Sequence, residues 1–209
     1  MKHLRKQIAG YLLTLILLMA GIVFPGSGEK VLASGGSMTV HFLDVGQGLS
    51  ILVQSEGQNL LYDGGPRSAS TYLQEQNVSE IDYLISSHYD EDHVSGLIGC
   101  LNAFQVDNVI GADYIHDSSL YGSFMDAVAA HGLEVQHPAV GAEYTFGSGE
   151  FTILSPKEIS KESNANSVAI KLTNGENSFV FTGDADFNCE ADMVNSGLDL
   201  SCDVLSVGH

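Results

Sequence analysis

The sequence predicts an α/β (α+β) fold in which β-sheets are covered by helices. Short runs of alternating apolar residues, which are typical of strands, recur along the chain with segments of helical spacing between them. The 23 glycines fall between these runs, where tight turns need them. With 44% hydrophobic residues, a chain of 209 residues can bury a sizeable core. Two halves of similar pattern meet near residues 138–148, and we expect them to form one domain.

The first 33 residues are typical of a secretory signal peptide and are set aside from the fold. Three basic residues among the first six precede an almost continuous apolar run at residues 8–24. Residues 31–33, Val-Leu-Ala, form a site that a signal peptidase could cut. An uncleaved membrane anchor is the alternative, because the run is nearly long enough to cross a bilayer. Either interpretation predicts a protein that is secreted or held at the extracellular face of the membrane, with residues 34–37 as a linker.

The folded domain is predicted to occupy residues 38–209 and to begin with strands. Residues 38–45 alternate apolar side chains and predict a first strand. Residues 49–53 and 59–63 predict a second and a third strand, and glycine-containing turns separate the three segments. A short helix is predicted at residues 68–76.

The middle of the domain alternates strands with helices. Residues 81–87 form an apolar run that leads into a polar loop, and residues 94–104 have helical apolar spacing. Residues 106–111 predict a strand, and residues 118–130 a helix for which Ser118 is available as the N-cap.

After residue 133 the pattern becomes rich in strands again. Strands are predicted at residues 151–154, 168–173, 178–183 and 203–207, and a helix at residues 186–195.

The charge of the chain is strongly acidic. Four of the eight basic residues and one of the 26 acidic residues lie in residues 1–33, which leaves a net charge of −21 for the remainder. Such a surface repels polyanions and attracts cations, although solubility and export explain it equally well. The charge alone therefore does not select a substrate.

Four potential metal ligands lie within six residues directly after the strand predicted at 81–87. In an extended loop His88 and Asp90 face the same side, while Asp92 and His93 begin the next helix and can point back. Imidazole and carboxylate groups are ligands of zinc, manganese and iron. The loop therefore predicts a metal site; the alternative is a solvated polar loop with two incidental histidines.

The order His-x-Asp-x-Asp-His, followed by Gly96, resembles the His-x-His-x-Asp-His signature of the metallo-β-lactamase superfamily. Asp90 replaces the second histidine, as in the branch that contains the extracellular metallo-hydrolase domain of the DNA-uptake protein ComEC. Further segments resemble that branch, namely Phe-Leu-Asp-Val-Gly-Gln-Gly at 42–48, Leu-Tyr-Asp-Gly-Gly at 61–65, Asn-Ala-Asn-Ser at 164–167, Phe-Thr-Gly-Asp at 181–184 and the final strand and histidine at 203–209. The resemblance covers the chain from about residue 39 onward.

The resemblance implies a four-layer αββα metallo-β-lactamase-like sandwich with one or two divalent metal ions, zinc or manganese. Asp92 and His93 would bind one ion, with His209 as a third ligand. Asp184 would bridge both ions. A hydroxide of lowered pKa, held at the ions, would attack a phosphorus or carbonyl centre, with Asp92 and Asp184 as the catalytic carboxylates.

The resemblance assigns His88 and Asp90 to the other ion. Asp63 would orient a ligand histidine from the second shell. Asn164 and Ser167 would also lie in the second shell, in a region where other members of the superfamily place a further histidine. This half of the site is thus poor in nitrogen, which favours manganese or magnesium over zinc, and one ion would bind weakly or not at all.

Several other residues receive no predicted role in the site. His41 is expected to be structural and Asp44 to shape the turn at residues 46–48. The histidines expected to be surface or loop residues are His116, His131 and His137. The pairing of the three cysteines is left open; they are Cys100, Cys189 and Cys202.

The function predicted first is an exported phosphodiesterase or nuclease that uses a metal-activated hydroxide. No Gly-x-Ser-x-Gly nucleophile elbow or phosphate-binding loop competes with this hypothesis. DNA is a candidate substrate, but the few lysines and arginines argue against tight DNA binding. The alternatives are a phosphorylcholine-type esterase, a non-catalytic degenerate domain that binds metal or a partner and, less favoured by the ligand pattern, β-lactam hydrolysis.

The predicted partners follow from this function. We expect a phosphodiester-type substrate, and membrane contact only through an uncleaved N-terminal segment; no protein partner is predicted. The chain stops at His209, where the resembled branch continues with a His-Gly-Ser turn. We therefore expect a domain that is truncated at its C-terminus.

Overall fold

The computed structural model describes residues 36–208. The signal peptide predicted at residues 1–33 and the predicted metal ligand His209 lie outside this range, as do residues 34 and 35 of the predicted linker. Within residues 36–208, no helix combines the length and apolar character that crossing a membrane requires.

The first sheet contains six strands that lie side by side in chain order. They are β1 (Met38–Phe42), β2 (Ile51–Ser55), β3 (Gln58–Tyr62), β4 (Glu80–Ile85), β5 (Gln105–Ile110) and β6 (Val135–Gln136). The first three strands pair antiparallel, and β3 to β6 pair parallel. Parallel neighbours need crossover connections. These connections contain the helices α1 (Ser70–Glu75), α2 (Glu91–Ala103) and α3 (Ser119–Ala130).

The second sheet is mainly antiparallel and contains five strands. They are β7 (Glu143–Phe146), β8 (Gly149–Ile153), β9 (Ile170–Asn174), β10 (Asn177–Phe181) and β11 (Val204–Ser206). The order across the sheet is β11-β10-β9-β8-β7, and only β10 and β11 pair parallel among these strands. Their connection contains the helix α4 (Phe187–Asn195), and a 3-10 turn, Asn164–Asn166, precedes β9.

Alternation along the strands divides the core into three apolar layers. In β2, Ile51 and Val53 face the second sheet, whereas Leu52 faces the helices. The central layer joins side chains of both sheets, including Phe151 of β8. Side chains of α2 and α3 cover the outer face of the first sheet, and Met193 of α4 packs on the second. The order helix, sheet, sheet, helix confirms the predicted four layers.

The predicted strands and helices all occur, with boundaries that shift by a few residues. Two strands were not predicted, the two-residue β6 and the four-residue β7. Ser118 caps α3 as expected, because its Oγ accepts a hydrogen bond from the Tyr121 amide. The Asp186 carboxylate caps α4 in the same way.

Candidate metal centre

The candidate metal centre lies where β3 and β4 end. Asp63 directly follows β3, and its amide donates to the Ile85 carbonyl oxygen at the end of β4 (2.8 Å). The His88 loop follows β4, and His93 lies in the first turn of α2. Because neighbouring parallel strands end at the same edge of a sheet, these segments meet there.

Two glycines hold α2 tightly against the turn after β3. The Gly64 amide donates to the His93 carbonyl oxygen, and the Gly96 amide to the Gly65 carbonyl oxygen, both at 2.8 Å. A β-carbon on Gly96 would overlap the Gly64 carbonyl oxygen, so only glycine permits this approach. The contact fixes the position of the first turn of α2, and with it the backbone of His93.

A buried hydrogen-bond network surrounds the two histidines of the loop. The Asp63 carboxylate accepts from the Ser87 amide and the Ser87 hydroxyl, both at 2.7 Å. His93 Nδ1 lies 2.8 Å from Asp63 Oδ2, and His88 Nδ1 lies 2.9 Å from Ser87 Oγ. All four residues are fully buried. The sequence analysis gave Ser87 no separate role, but it connects Asp63 with both histidines.

This network assigns the ring protons of both histidines. The Ser87 hydroxyl gives its hydrogen to Asp63, so its oxygen accepts from His88 Nδ1. His93 Nδ1 donates to the same carboxylate. With Nδ1 hydrogen-bonded in both rings, Nε2 is the nitrogen through which each histidine would bind a metal ion, once any proton on it has been displaced. Within residues 36–208, His88 Nε2 is buried and forms no hydrogen bond.

The two Nε2 atoms meet a carboxylate from the second sheet. Ligand atoms of His88, His93 and Asp184 all lie within 4.8 Å of one another. His93 Nε2 lies 3.5 Å from Asp184 Oδ2 and 3.8 Å from Asp92 Oδ2. The Asp184 amide donates to Ser167 Oγ (3.1 Å), so Ser167 helps to position this residue. Two imidazole nitrogens and a carboxylate form a donor set that fits a divalent metal ion.

The carboxylates around His93 shift its titration. Burial disfavours the charged imidazole, but the negative charges of Asp63 and Asp184 outweigh burial and raise the pKa of His93 to about 10. A metal ion that binds Nε2 therefore has to displace a proton from this ring.

Asp90 lies beside the three-residue group with a separate set of contacts. Its Oδ2 lies 3.5 Å from His88 Nε2, and its Oδ1 accepts from the Ser163 hydroxyl (2.7 Å). His116 Nε2 lies 3.1 Å from the same Oδ1. The His88 ring, the Ser163 hydroxyl and His116 hold the pKa of the Asp90 carboxyl well below its usual range, against the opposing effect of partial burial. His116 lies in a loop, as predicted, but its contact with Asp90 was not anticipated.

The remaining residues singled out in the sequence lie around this centre or away from it. Asn164 lies in the 3-10 turn, where its carbonyl oxygen accepts from the Ser167 amide (3.1 Å). Gly208 packs against Asp184, and its neighbour His209 lies outside the described residues. His131 contacts the Leu101 carbonyl oxygen and His137 that of Gly111, outside the three-residue group, as expected for surface or loop histidines. All three cysteines are free thiols.

A cavity of about 1120 Å³ adjoins the centre at Asp92. It runs between the β1–β2 turn and α1. Its charged lining residues are Asp44, Arg67, Glu75, Glu91 and Asp92. Carboxylates thus outnumber cations in its wall, while Phe42 and Tyr72 add aromatic surface.

Comparison with known proteins agrees with this geometry. The family model described as the metallo-beta-lactamase superfamily matches residues 43–208. The chain is 31% identical to Recombination protein 2 of Haemophilus influenzae over 180 residues, and 30% identical to Competence protein ComA of Neisseria gonorrhoeae over 203 residues. These alignments cover 81% and 93% of this chain but 21% and 26% of the relatives, so the chain spans about a quarter of their length.

A solved structure gives the same fold at low identity. The crystal structure of MEM-A1, a subclass B3 metallo-beta-lactamase isolated from a soil metagenome library, matches with a TM-score of 0.55 at 15% identity. The match covers 85% of this chain and 78% of that enzyme. The likeness confirms the predicted sandwich fold.

Proposed function

The chain belongs to the metallo-beta-lactamase superfamily, and on that premise we propose that it is an exported metal-dependent phosphodiesterase. The observation that carries the proposal is the convergence of a ring nitrogen of His88, a ring nitrogen of His93 and the Asp184 carboxylate within 4.8 Å. Imidazole rings whose Nδ1 is hydrogen-bonded to a supporting group are oriented as metal-binding histidines usually are.

The proposed site divides its ligands between two positions. Asp92, His93 and Asp184 hold one ion, and we add His209 to this set because it directly follows Gly208, which packs against Asp184. His88 and Asp90 would hold the other ion, and Asp184 is the carboxylate that we assign to both positions. When bound, zinc or manganese supplies a water of lowered pKa and a Lewis acid for a phosphoryl oxygen.

The protein's own residues contribute orientation. Asp63 and Ser87 keep the protons of both histidines on Nδ1, so that Nε2 stays available. Ser167 fixes the backbone of Asp184, and Asn164 belongs to the same supporting turn. Asp92 and Asp184 are the carboxylates that we assign to catalysis, and Asp92 lines the cavity from which a substrate would approach. In this arrangement no serine or cysteine nucleophile is required.

A phosphodiester of DNA is the first substrate candidate. The support is the similarity to two relatives whose names refer to competence and to recombination. Arg67, which lines the cavity beside Asp92, is the residue we assign to contact with a phosphate oxygen.

A second candidate follows from the charge of the cavity. Asp44, Glu75 and Glu91 line it together with Phe42 and Tyr72, a combination that favours a cationic group such as choline. A phosphodiester with a quaternary ammonium group would thus fit the wall better than a polyanion. Export through the N-terminal 33 residues makes a cell-surface substrate accessible in this case.

The experiment uses the whole chain with bis(p-nitrophenyl) phosphate and added manganese or zinc. We expect turnover that requires the metal and falls at least about 100-fold in His93→Ala and Asp184→Asn, because each removes a ligand. His137→Ala and Asp199→Asn are matched controls, since both side chains lie outside the three-residue group. Absence of metal-dependent turnover in the wild-type chain would contradict the proposal.

The two substrate candidates are then separated by the second group on the phosphodiester, which stays on the phosphorus when p-nitrophenol leaves. Thymidine 5′-p-nitrophenyl phosphate and p-nitrophenylphosphorylcholine share the reporter group and differ in the rest of the diester. A higher kcat/KM for the nucleotide supports DNA, and a higher kcat/KM for the choline ester supports the cationic substrate.

A further inference from the structure

His116 connects the candidate metal centre to the start of α3. Its Nε2 lies 3.1 Å from Asp90 Oδ1, and its Nδ1 lies 2.9 Å from Ser118 Oγ. About a quarter of its side chain is exposed, against a third for Asp90. The ring therefore lies between a helix cap and a carboxylate that faces His88.

The helix cap assigns the protonation of the His116 ring. Ser118 Oγ accepts from the Tyr121 amide (3.1 Å), so the hydroxyl hydrogen is directed elsewhere and can be given to His116 Nδ1. Nδ1 then accepts, and Nε2 carries the hydrogen that faces the Asp90 carboxylate. A ring in this state attracts the carboxylate and cannot ligate a metal ion through Nε2.

A second contact restrains the same oxygen of Asp90. The Ser163 hydroxyl donates to Oδ1 (2.7 Å), and the Tyr114 hydroxyl lies 2.8 Å from Ser163 Oγ. Oδ1 is thus restrained by groups from two loops, whereas Oδ2 points toward His88 Nε2 at 3.5 Å. The two oxygens of Asp90 therefore have separate contacts: Oδ1 contacts Ser163 and His116, whereas Oδ2 faces the candidate metal centre.

We propose that His116 is a positioning residue that, together with Ser163, orients the Asp90 carboxylate toward a metal ion bound at His88. Asp63 orients the ligand histidines, and His116 orients the ligand carboxylate of Asp90 in the same way. His116 is not itself a ligand, because its Nδ1 accepts from the Ser118 hydroxyl and its Nε2 carries the hydrogen that faces Asp90. Loss of such an outer partner typically weakens metal binding 10–100-fold.

The inference rests on the proposed metal site but is tested by binding rather than by turnover. Manganese is titrated calorimetrically into the whole chain and into His116→Ala and His116→Gln. We expect the ion that depends on Asp90 to bind roughly 10–100-fold more weakly in H116A. Binding should recover in H116Q, because the amide nitrogen of glutamine can occupy the position of Nε2. His137→Ala is the matched control, a partly exposed histidine that contacts a different aspartate, Asp113.

A double-mutant cycle distinguishes positioning from general destabilisation. In the Asp90→Ala background, H116A should have no further effect on manganese binding, because the group that it positions is gone. Wild-type affinity in H116A, equal loss in H116Q and H116A, or an undiminished effect of H116A without Asp90 would each overturn the inference. A chain whose manganese affinity depends on His116 as expected but that hydrolyses nothing would refute only the proposed function.

Discussion

Replacing Asp63 by asparagine tests how much the buried network contributes to metal binding. Asp63 is fully buried and accepts three hydrogen bonds, one at Oδ1 and two at Oδ2. Asparagine keeps one acceptor oxygen and puts an amide where Oδ2 receives the Ser87 hydroxyl and His93 Nδ1. The backbone at this position is left-handed (φ 57°), a conformation that asparagine tolerates, so the substitution changes the charge with little backbone strain.

The expected effects are large on metal affinity and moderate on stability. Without an acceptor at Nδ1, the His93 proton moves to Nε2, and metal affinity falls about 10–100-fold. The two hydrogen bonds that Oδ2 accepts are lost, and because each bond to a charged group contributes roughly 1.5–3 kcal/mol, the free energy of unfolding of the metal-free chain falls. Competition with a chromophoric chelator measures the affinity, and urea denaturation in the presence of EDTA measures the stability.

Asp203→Asn is the matched control for this substitution. Asp203 also accepts from a serine amide and the same serine's hydroxyl, those of Ser178 (2.8 and 3.2 Å), but it is exposed and precedes β11. We expect D203N to leave metal affinity unchanged. A D63N chain that binds metal as tightly as wild type would refute the reasoning that Asp63 sets the tautomer of His93.

Three further predictions concern packing and thiol chemistry. Gly96→Ala should lower the free energy of unfolding by about 1–3 kcal/mol, because its β-carbon would overlap the Gly64 carbonyl oxygen. Gly122 lies on α3 with open space around it, so Gly122→Ala should raise the free energy of unfolding by about 0.5–1 kcal/mol. Equal effects of the two substitutions in urea denaturation would contradict this contrast. Phe124→Ala removes a fully buried ring and should lower the free energy of unfolding by about 3–5 kcal/mol in the same assay. A much smaller loss would show that the ring is exposed to solvent. Burial raises the pKa of the Cys100 thiol to about 11, so at pH 8 it is protonated and should react with iodoacetamide only on unfolding; rapid labelling of the folded chain, mapped by mass spectrometry, would show that it is accessible.

The sequence predicted those features of the fold that depend on local pattern. β9 was recognisable because its apolar residues alternate and every second side chain is buried. β2 was recognisable as a short apolar run, in which Ile51, Leu52 and Val53 are all buried. β6 has only Val135 and Gln136, too few residues for any period to appear. β7 alternates over four residues, with Phe146 buried, which is at the lower limit of a recognisable strand.

The candidate site was predictable where its residues are close in sequence. The loop at residues 88–93 was predicted to bind metal because it contains four potential ligands within six residues. The prediction that Asp63 orients a ligand histidine came from the resemblance to the family. His116 lies 26 residues after Asp90 with α2 and β5 between them, so local spacing carries no information on their contact. β4 and β5 are adjacent parallel strands, so the loops that follow them lie at the same edge of the sheet. This topological rule would have indicated that His116 and Asp90 lie close together.

Contacts between the two halves of the chain were less accessible from sequence. Ser163, in the second half of the chain, donates a hydrogen bond to Asp90 in the first half. Ser167 and Asp184 also contact each other, but both lie in the second half. Such pairs depend on how the two sheets stack, which no hydrophobic period specifies. The Val168 amide, for example, donates to the Ser87 carbonyl oxygen (2.7 Å) across this junction.

The most direct test of the account is the metal content of the purified whole chain, measured by mass spectrometry after dialysis against manganese or zinc. We expect at least one divalent ion per wild-type chain and the loss of this ion in the double variant His88→Ala/His93→Ala. The double variant His131→Ala/His137→Ala is the matched control. Metal content that is equally low in the wild-type and double-variant chains would contradict the claim that these two histidines form a metal site. Equal metal in both chains would place the ion elsewhere and contradict it as well.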